Sequence, residues 1–256
     1  MPTTSDSGSG SGSGSDSDFA IVIPARYKSS RFPGKPLAEI AGKPMIQHVW
    51  ERCIEALDPK DVFVATDDDR IRQACEGFGA SVLMTSDRCL TGTDRVAEAA
   101  SQLTHSFIVN VQGDEPMIHA QDILTVAEAF RNGGGSVVNA MAPISDEREY
   151  WSPNVPKVVV GPKGRLQYMS RAPIPANKSK TFERAWKQVC IYAFSRKHLS
   201  QFSAATEKGP IEAIEDIEIL RFIDLDIEVS LVELESTSMA VDTPEDLEMV
   251  VRALSA

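Results

Sequence analysis

Cysteine is scarce and scattered. The 256-residue chain has four, Cys53, Cys75, Cys89 and Cys190, with no C-x-x-C spacing among them. Neither a disulfide framework nor a thiolate zinc site is expected, and inert thiols in a reducing compartment are. Long apolar runs are missing too, since none approaches the roughly 20 residues that a membrane span needs. Positive charge is in deficit, with 26 Lys and Arg against 37 Asp and Glu for a net charge of −11. An acidic surface lacks the basic face that grips a nucleic-acid backbone, so any anionic ligand must be held by a local cationic pocket. The amino end shows no charged-then-apolar leader pattern. The expectation is a cytoplasmic protein with neither nucleic acid nor membrane as partner.

Several signatures of chemistry are also absent. The Walker pattern G-x-x-x-x-G-K-[ST] does not occur, and no G-x-G-x-x-G follows a strand. There is no G-x-S-x-G and no Cys/His pairing that reads as a nucleophile. His48, His105, His119 and His198 lie in four unrelated contexts and read as structural or surface residues.

What is present is an α/β alternation. Residues 1–18 form a Ser/Gly/Asp tract that cannot bury apolar area and is expected to be disordered, so folded structure should start at Phe19. From there the strands "FAIVI", "VFVAT", "SVLMT" and "FIVNVQ" alternate with helical patterns near 44–57, 69–78, 93–103 and 121–131. In the first helix Met45, Ile46, Val49, Cys53, Ile54 and Leu57 recur on one face. This order predicts a mostly parallel, Rossmann-like sheet with helices on both faces. Residues 136–194 instead read as short strands between Pro, Gly and Asn turns. They predict a strand-rich subregion, about 140–212, that forms an edge meander or a dimerisation arm. The end returns to α/β, with a helix over 214–225, the strand "IEVSLVEL", and a last helix. Thr243 is its N-cap, Pro244 lies in its first turn, and Asp246 completes a capping box.

In an open parallel sheet, ligands bind beyond the carboxyl ends of the strands. At the first such end stands "IPARYKSSRFPGKPL", which gathers Arg26, Lys28, Arg31 and Lys35 around Gly34. Cations and backbone N–H groups before a helix suit a nucleotide triphosphate. "NVQGDEPMI" delivers Asp114 and Glu115 at the tip of another strand, where Gly113 permits close backbone approach. A carboxylate there suits Mg²⁺, which takes oxygen ligands and shares itself with substrate phosphates. "VDTPED" places Asp242 at a third strand end, and because Thr243 already fills the cap role, Asp242 reads as the second metal ligand. Asp68 and Asp69 of "ATDDDRI" read as N-capping residues. Thr91, Gly92, Thr93 and Arg95 of "TGTDR" offer small polar groups able to read a base edge.

Taken in order, "IPARYKSSRFPGKPL", "GKPMIQHV", "VATDD", "TGTDR", "NVQGDEP", "SRAPIP" and "VDTPEDL" make the chain resemble the 3-deoxy-manno-octulosonate (Kdo) cytidylyltransferases across about residues 19–250. The resemblance implies a dimeric nucleotidyltransferase fold. It also implies Mg²⁺-dependent transfer of CMP from CTP to the C2 hydroxyl of a 2-keto-3-deoxy sugar acid, with release of pyrophosphate. By the same likeness Ala25, Arg26, Ser29, Arg31 and Lys35 hold the triphosphate. Thr66 and the loop Thr91, Gly92, Thr93 and Arg95 receive cytosine and ribose, and Asp114 and Asp242 bind magnesium. Gln112, Arg171, Tyr192 and Glu215 face the sugar acid, with Arg171 on its carboxylate.

Two positions depart from the family pattern. Where it reads H-x-G-I-Y this chain has "QVCIY", which puts Gln188 at the histidine. Where it reads L-E-Q-L-R this chain has "IEILR", which puts Ile219 at the glutamine. Both belong to the sugar half of the site, so a different acid acceptor (an amino-ulosonic or nonulosonic acid, or a phosphonate) stays open beside Kdo. A CTP-binding regulator without turnover is a further alternative, and the retained Asp114, Asp242, Arg26 and Lys35 speak against it.

Overall fold

The structure is a computed structural model that describes residues 17–28, 32–133, 136–235, 238–241 and 243–254. Strand β1 (Phe19–Ala25) is buried along its whole length. Its alternate residues serve two cores, Ile21 and Ile23 on one face and Ala20 and Val22 on the other, as the period-2 geometry of a strand requires. A short hairpin follows, β2 (Glu39–Ile40) with β3 (Lys43–Pro44), and then α1 (Met45–Ala56). In α1 the residues Met45, Ile46, Val49, Trp50 and Cys53 are buried, one stripe of an amphipathic helix. The alternation continues through β4 (Val62–Thr66), α2 (Asp69–Gly77), β5 (Ser81–Met84), α3 (Gly92–Ala100), β6 (Phe107–Val111) and α4 (Ala120–Asn132).

Beyond that point come β7 (Val137–Pro143), α5 (Glu147–Trp151), β8 (Lys157–Val160), β9 (Leu166–Ser170) and β10 (Trp186–Ser195). The chain ends with α6 (Arg196–Ser203), α7 (Pro210–Glu215), α8 (Leu220–Asp224), β11 (Val229–Glu233) and α9 (Pro244–Leu254). The main sheet runs β11-β7-β10-β6-β1-β4-β5. Its pairs β6–β1, β1–β4, β4–β5 and β11–β7 are parallel, and β10 lies antiparallel between β6 and β7. Helices α1, α2 and α4 cover one face, while α3, α6 and α8 cover the other. The expected mixed α/β architecture, with a mostly parallel central sheet, is the one found.

Three expectations are corrected. The strand-rich stretch is no edge meander, because β7 and β10 lie inside the main sheet and only the β8–β9 hairpin stands off its path. β7 and β10 run to seven and ten residues, longer than the short strands expected, and their residues alternate between the same two cores as β1, so the sheet absorbs them. The single helix expected over 214–225 is two, since Asp216 turns left-handed at φ 51° and closes α7. Ordered contacts start before Phe19, contrary to the expected bound at residue 18: Ser17 Oγ accepts from the Phe19 N–H, and Asp18 pairs with Arg131. Residues 1–16 lie outside the described residues. Asp68 does cap α2, accepting from the Arg70 N–H at 3.0 Å, and the Thr243–Asp246 box closes at 2.8 Å and 3.2 Å. No helix among the described residues is long and apolar enough to cross a membrane.

Candidate active site

The carboxyl ends of β1 and β6 approach each other closely. A Cβ on Gly113 would lie 2.8 Å from the Pro24 carbonyl oxygen, so the tip after β6 can pass the tip of β1 only because residue 113 has no side chain. The cationic loop after β1 folds back on itself. The Gly34 N–H donates to the Tyr27 carbonyl at 2.9 Å, with Gly34 left-handed at φ 73°, and the Arg70 guanidinium covers the Tyr27 ring. Ala25 is buried at the strand end, whereas Arg26 and Lys28 are exposed. Lys35, at the start of the single-turn helix over 35–37, swings across the site. Its Nζ donates to Asp114 Oδ2 at 2.7 Å and to the Val241 carbonyl at 2.8 Å. The Val241 N–H in turn donates to the Asp114 carbonyl at 2.9 Å.

Three segments far apart in sequence therefore converge: the β1 loop, the β6 tip and the irregular segment before α9, where the expected third strand end is not found because the last strand, β11, stops at Glu233. Asp114 and Lys35 are brought together directly, and Asp242 follows immediately after a residue bonded to both. Asp242, Ser29 and Arg31 themselves lie outside the described residues. Next to Asp114, Glu115 is buried and accepts a hydrogen bond from Ser238 Oγ. Burial, reinforced by the Asp114 charge, pushes its carboxyl up to about 7.

The loop before α3 is held by its own carboxylates. Thr91 and Asp94 form a capping box. Glu218 reaches across from the turn before α8 and accepts from the Gly92 N–H at 2.9 Å, the Thr93 N–H at 2.8 Å and the Thr93 hydroxyl at 2.7 Å. An acid at a helix N-terminus meets the unsatisfied N–H groups and the positive end of the dipole together. Arg95 is buried, 3.1 Å from Asp67, and Thr66 is buried with its hydroxyl accepting from the Asp68 N–H at 3.2 Å. Beneath the loop, Arg221 joins buried Asp94 at 2.7 Å to buried Glu212 at 2.6 Å.

The residues expected to face an acceptor fall into two groups. Gln112 lies against Gly92, where an added Cβ would meet its amide at 3.1 Å and Glu218 at 3.4 Å. Tyr192 is buried opposite Asn110 on β6 and Asn139 on β7, and Gln188 Nε2 donates to its hydroxyl at 3.2 Å. Arg171 and Glu215 form the second group. Glu215 accepts from the Ser170 hydroxyl, the Arg171 N–H and the Tyr168 hydroxyl, and these bonds hold its carboxyl below the usual range against the opposing effect of burial. The Arg171 guanidinium donates to the carbonyls of Glu215, Pro153 and Asp216 at 2.6, 3.0 and 2.9 Å. Under it, buried Lys157 donates to the Arg171 carbonyl at 2.6 Å and the Ser152 carbonyl at 2.7 Å. Ile219 is buried in the core and brings no polar atom.

Three residues escaped the sequence reading. Glu218 looks like one more acid in a charged helix, and its contacts lie about 125 positions away. Asn139 and Lys157 sit in apolar strands without a motif. His48, His105 and His198 fulfil the structural reading, bonded to the Ile40 carbonyl, Asp61 and Ser195. A cavity of about 810 Å³ opens elsewhere, between α3, α6 and the 86–90 loop; of the candidate-site residues above only Asp94 lines it.

The cytidylyltransferase family model matches residues 20–230, which takes in both the Lys35–Asp114 contact and the Glu218 cap. The chain belongs to the cytidylyltransferase family. It is 42% identical over 236 residues to the 3-deoxy-manno-octulosonate cytidylyltransferase of Escherichia coli, covering 92% of this chain and 95% of that relative. The enzyme of the same name from Geobacter sulfurreducens is 42% identical over 245 residues, covering 91% and 98%. Among solved structures, a CMP:2-keto-3-deoxy-manno-octonic acid synthetase complexed with CTP superposes with a TM-score of 0.85 at 38% identity, covering 93% of this chain and 99% of that one. As a cytidylyltransferase the protein is a nucleotidyltransferase, and its mixed α/β fold is that of the CTP-bound relative.

Proposed function

We propose that this cytidylyltransferase transfers CMP from CTP to the C2 hydroxyl of a 2-keto-3-deoxy sugar acid such as Kdo and releases pyrophosphate. It does so with Mg²⁺, as a cytoplasmic homodimer. The observation that carries the reading is the Lys35–Asp114 contact at the mouth of β1 and β6, with the exposed Arg26 on the same loop. A cation and a carboxylate held together at parallel-strand ends suit a polyphosphate and its metal.

The donor set fits magnesium. Asp114 is partly open, and no group of three or more His, Cys, Asp or Glu side chains gathers among the described residues. Mg²⁺ needs only one or two carboxylates beside substrate phosphates. Asp114 and Asp242 would hold it, and it would supply charge neutralisation at the reacting phosphate. The chain's own residues do the rest by position. Lys35, with Ala25, Arg26, Ser29 and Arg31, binds the triphosphate and offsets charge that develops on the departing pyrophosphate. Thr66 and the Thr91–Gly92–Thr93 loop with Arg95 seat the nucleoside, with Glu218 fixing that loop. Gln112, Gln188, Tyr192, Arg171 and Glu215 orient the acid so that its hydroxyl attacks the α-phosphorus in line. No covalent intermediate is required, in keeping with a sequence that carries no nucleophile motif.

Gln188 and the buried Ile219 favour a second reading, CMP transfer to another acid, because both change the hydrogen bonds available to the acceptor. Pyrophosphate release from CTP, measured across a panel of sugar acids and phosphonates, tests both. Release with Kdo supports the first reading and release with another acid alone supports the second. Binding of CTP with no release from any acid would refute both and leave a regulator.

A further inference from the structure

The bulge in β10 between Val189 and Tyr192 turns the carbonyls of Val189 and Ile191 toward one side chain. Asn139 Nδ2 donates to both, at 2.9 Å and 3.0 Å. Carbonyl oxygens only accept, so the Asn139 atom that faces them must be its nitrogen. Asn139 Oδ1 is thereby fixed as an acceptor, and the atom 3.0 Å from it must be Gln188 Nε2. The second hydrogen of that nitrogen goes to the Tyr192 hydroxyl at 3.2 Å. Both amide nitrogens have now used both hydrogens, and flipping either amide would set oxygen against oxygen. Gln188 Oε1 is left over. It has no partner among the described residues, and it is not among the buried polar atoms shut off from solvent.

We propose that Gln188 Oε1 determines acceptor specificity by taking a hydrogen bond from a donor on the sugar acid, a hydroxyl or a protonated amine. The inference rests on the sugar-acid reading of the site and narrows it. A locked amide that shows only its oxygen repels carboxylate, keto, phosphonate and ether oxygens, so the acid group must lie elsewhere. The local charge points the same way, for Asp114 and Glu218 both act electrostatically on Tyr192, the hydroxyl to which Gln188 is tied. An imidazole at this position could turn an N–H toward the acceptor; Gln188, held by Asn139, cannot. Asn139 is thus a positioning residue for Gln188.

The experiment compares wild type, Gln188→Met and Gln188→Glu, each first shown to bind CTP with unchanged affinity. Pyrophosphate release is measured with Kdo and with analogues in which one hydroxyl at a time is replaced by hydrogen, methoxy or amine. At one position the deoxy and methoxy analogues should lose about tenfold or more in kcat/KM with wild type and nothing further with Gln188→Met. The amine at that position should be accepted by wild type and favoured by Gln188→Glu. Equal losses in wild type and Gln188→Met at every position would overturn the proposal. If Kdo gives no release and another acid does, the Kdo reading falls while the same comparison on that acid decides this one. No release with any acid removes both.

Discussion

Lys35 Nζ stands 2.7 Å from Asp114 Oδ2, and the two residues are 79 positions apart in the chain. A lysine on a loop and a carboxylate at a strand tip thus occupy one spot where β1 and β6 end side by side. In the unliganded protein each neutralises the other; with a metal-bound triphosphate, both charges would be shared with the ligand.

Asp114→Asn keeps the shape and removes the charge. Turnover should fall by about 10²-fold or more at saturating Mg²⁺, while CTP binding without metal changes little. Pyrophosphate release and calorimetry measure the two, and near-normal turnover would take Asp114 out of the metal role. Lys35→Met should raise KM for CTP as well as lower kcat, because the lysine serves binding and transition state alike.

Gly113→Ala sets a methyl 2.8 Å from the Pro24 carbonyl oxygen. Backbone must give way, at a cost of about 1–3 kcal/mol by analogy with overpacked cores. Urea denaturation should show the loss, and turnover should fall with it, since the same approach positions Asp114. Unchanged stability and rate would mean that the two tips move apart freely.

Glu218→Ala strips three hydrogen bonds from the first turn of α3. Hydrogen bonds to a charged group contribute about 1.5–3 kcal/mol each net of solvent competition, so a loss of at least about 2 kcal/mol is expected. KM for CTP should rise more than kcat falls, because the loop seats the nucleoside. Glu218→Gln should recover part of both.

Arg221→Met leaves the Asp94 and Glu212 carboxylates buried without their cation. Breaking such a pair costs about 3–5 kcal/mol, enough to reduce soluble expression of a marginally stable domain. Adding Asp94→Asn and Glu212→Gln to that variant should restore much of the loss. Thermal denaturation of the single and triple variants checks this, and additive damage would exclude the charge argument.

Lys157 is pushed down from 10.5 to about 8, by burial first and by the Arg171 charge second, with Glu215 opposing. The folded protein therefore releases this proton earlier than the unfolded chain. Between about pH 8 and 10.5 the unfolded state binds more protons, so folding stability attributable to Lys157 rises with pH through that window. Wild type minus Lys157→Met, measured by denaturant titration at each pH, should show this positive slope. A flat difference would mean that the ammonium is well solvated.

Much was settled by the chain itself. The alternation of apolar strands with amphipathic helices encodes a parallel sheet, because strand period and helix period are local properties. Asp68 and the Thr243–Asp246 box were legible for the same reason, as a cap needs only residues within one turn. The cationic loop, Gly113 and Asp114 could be named as strand-end groups because strand ends are where a parallel sheet offers its ligands. Tertiary structure alone decided the rest. That β7 and β10 enter the sheet depends on which edges find partners, and no local pattern records that. The Glu218 cap, the Arg221–Asp94 pair and the Asn139–Gln188 contact join residues from about 49 to 127 positions apart. Their meaning lies in hydrogen-bond direction, and direction exists only once the backbone has brought donor and acceptor face to face.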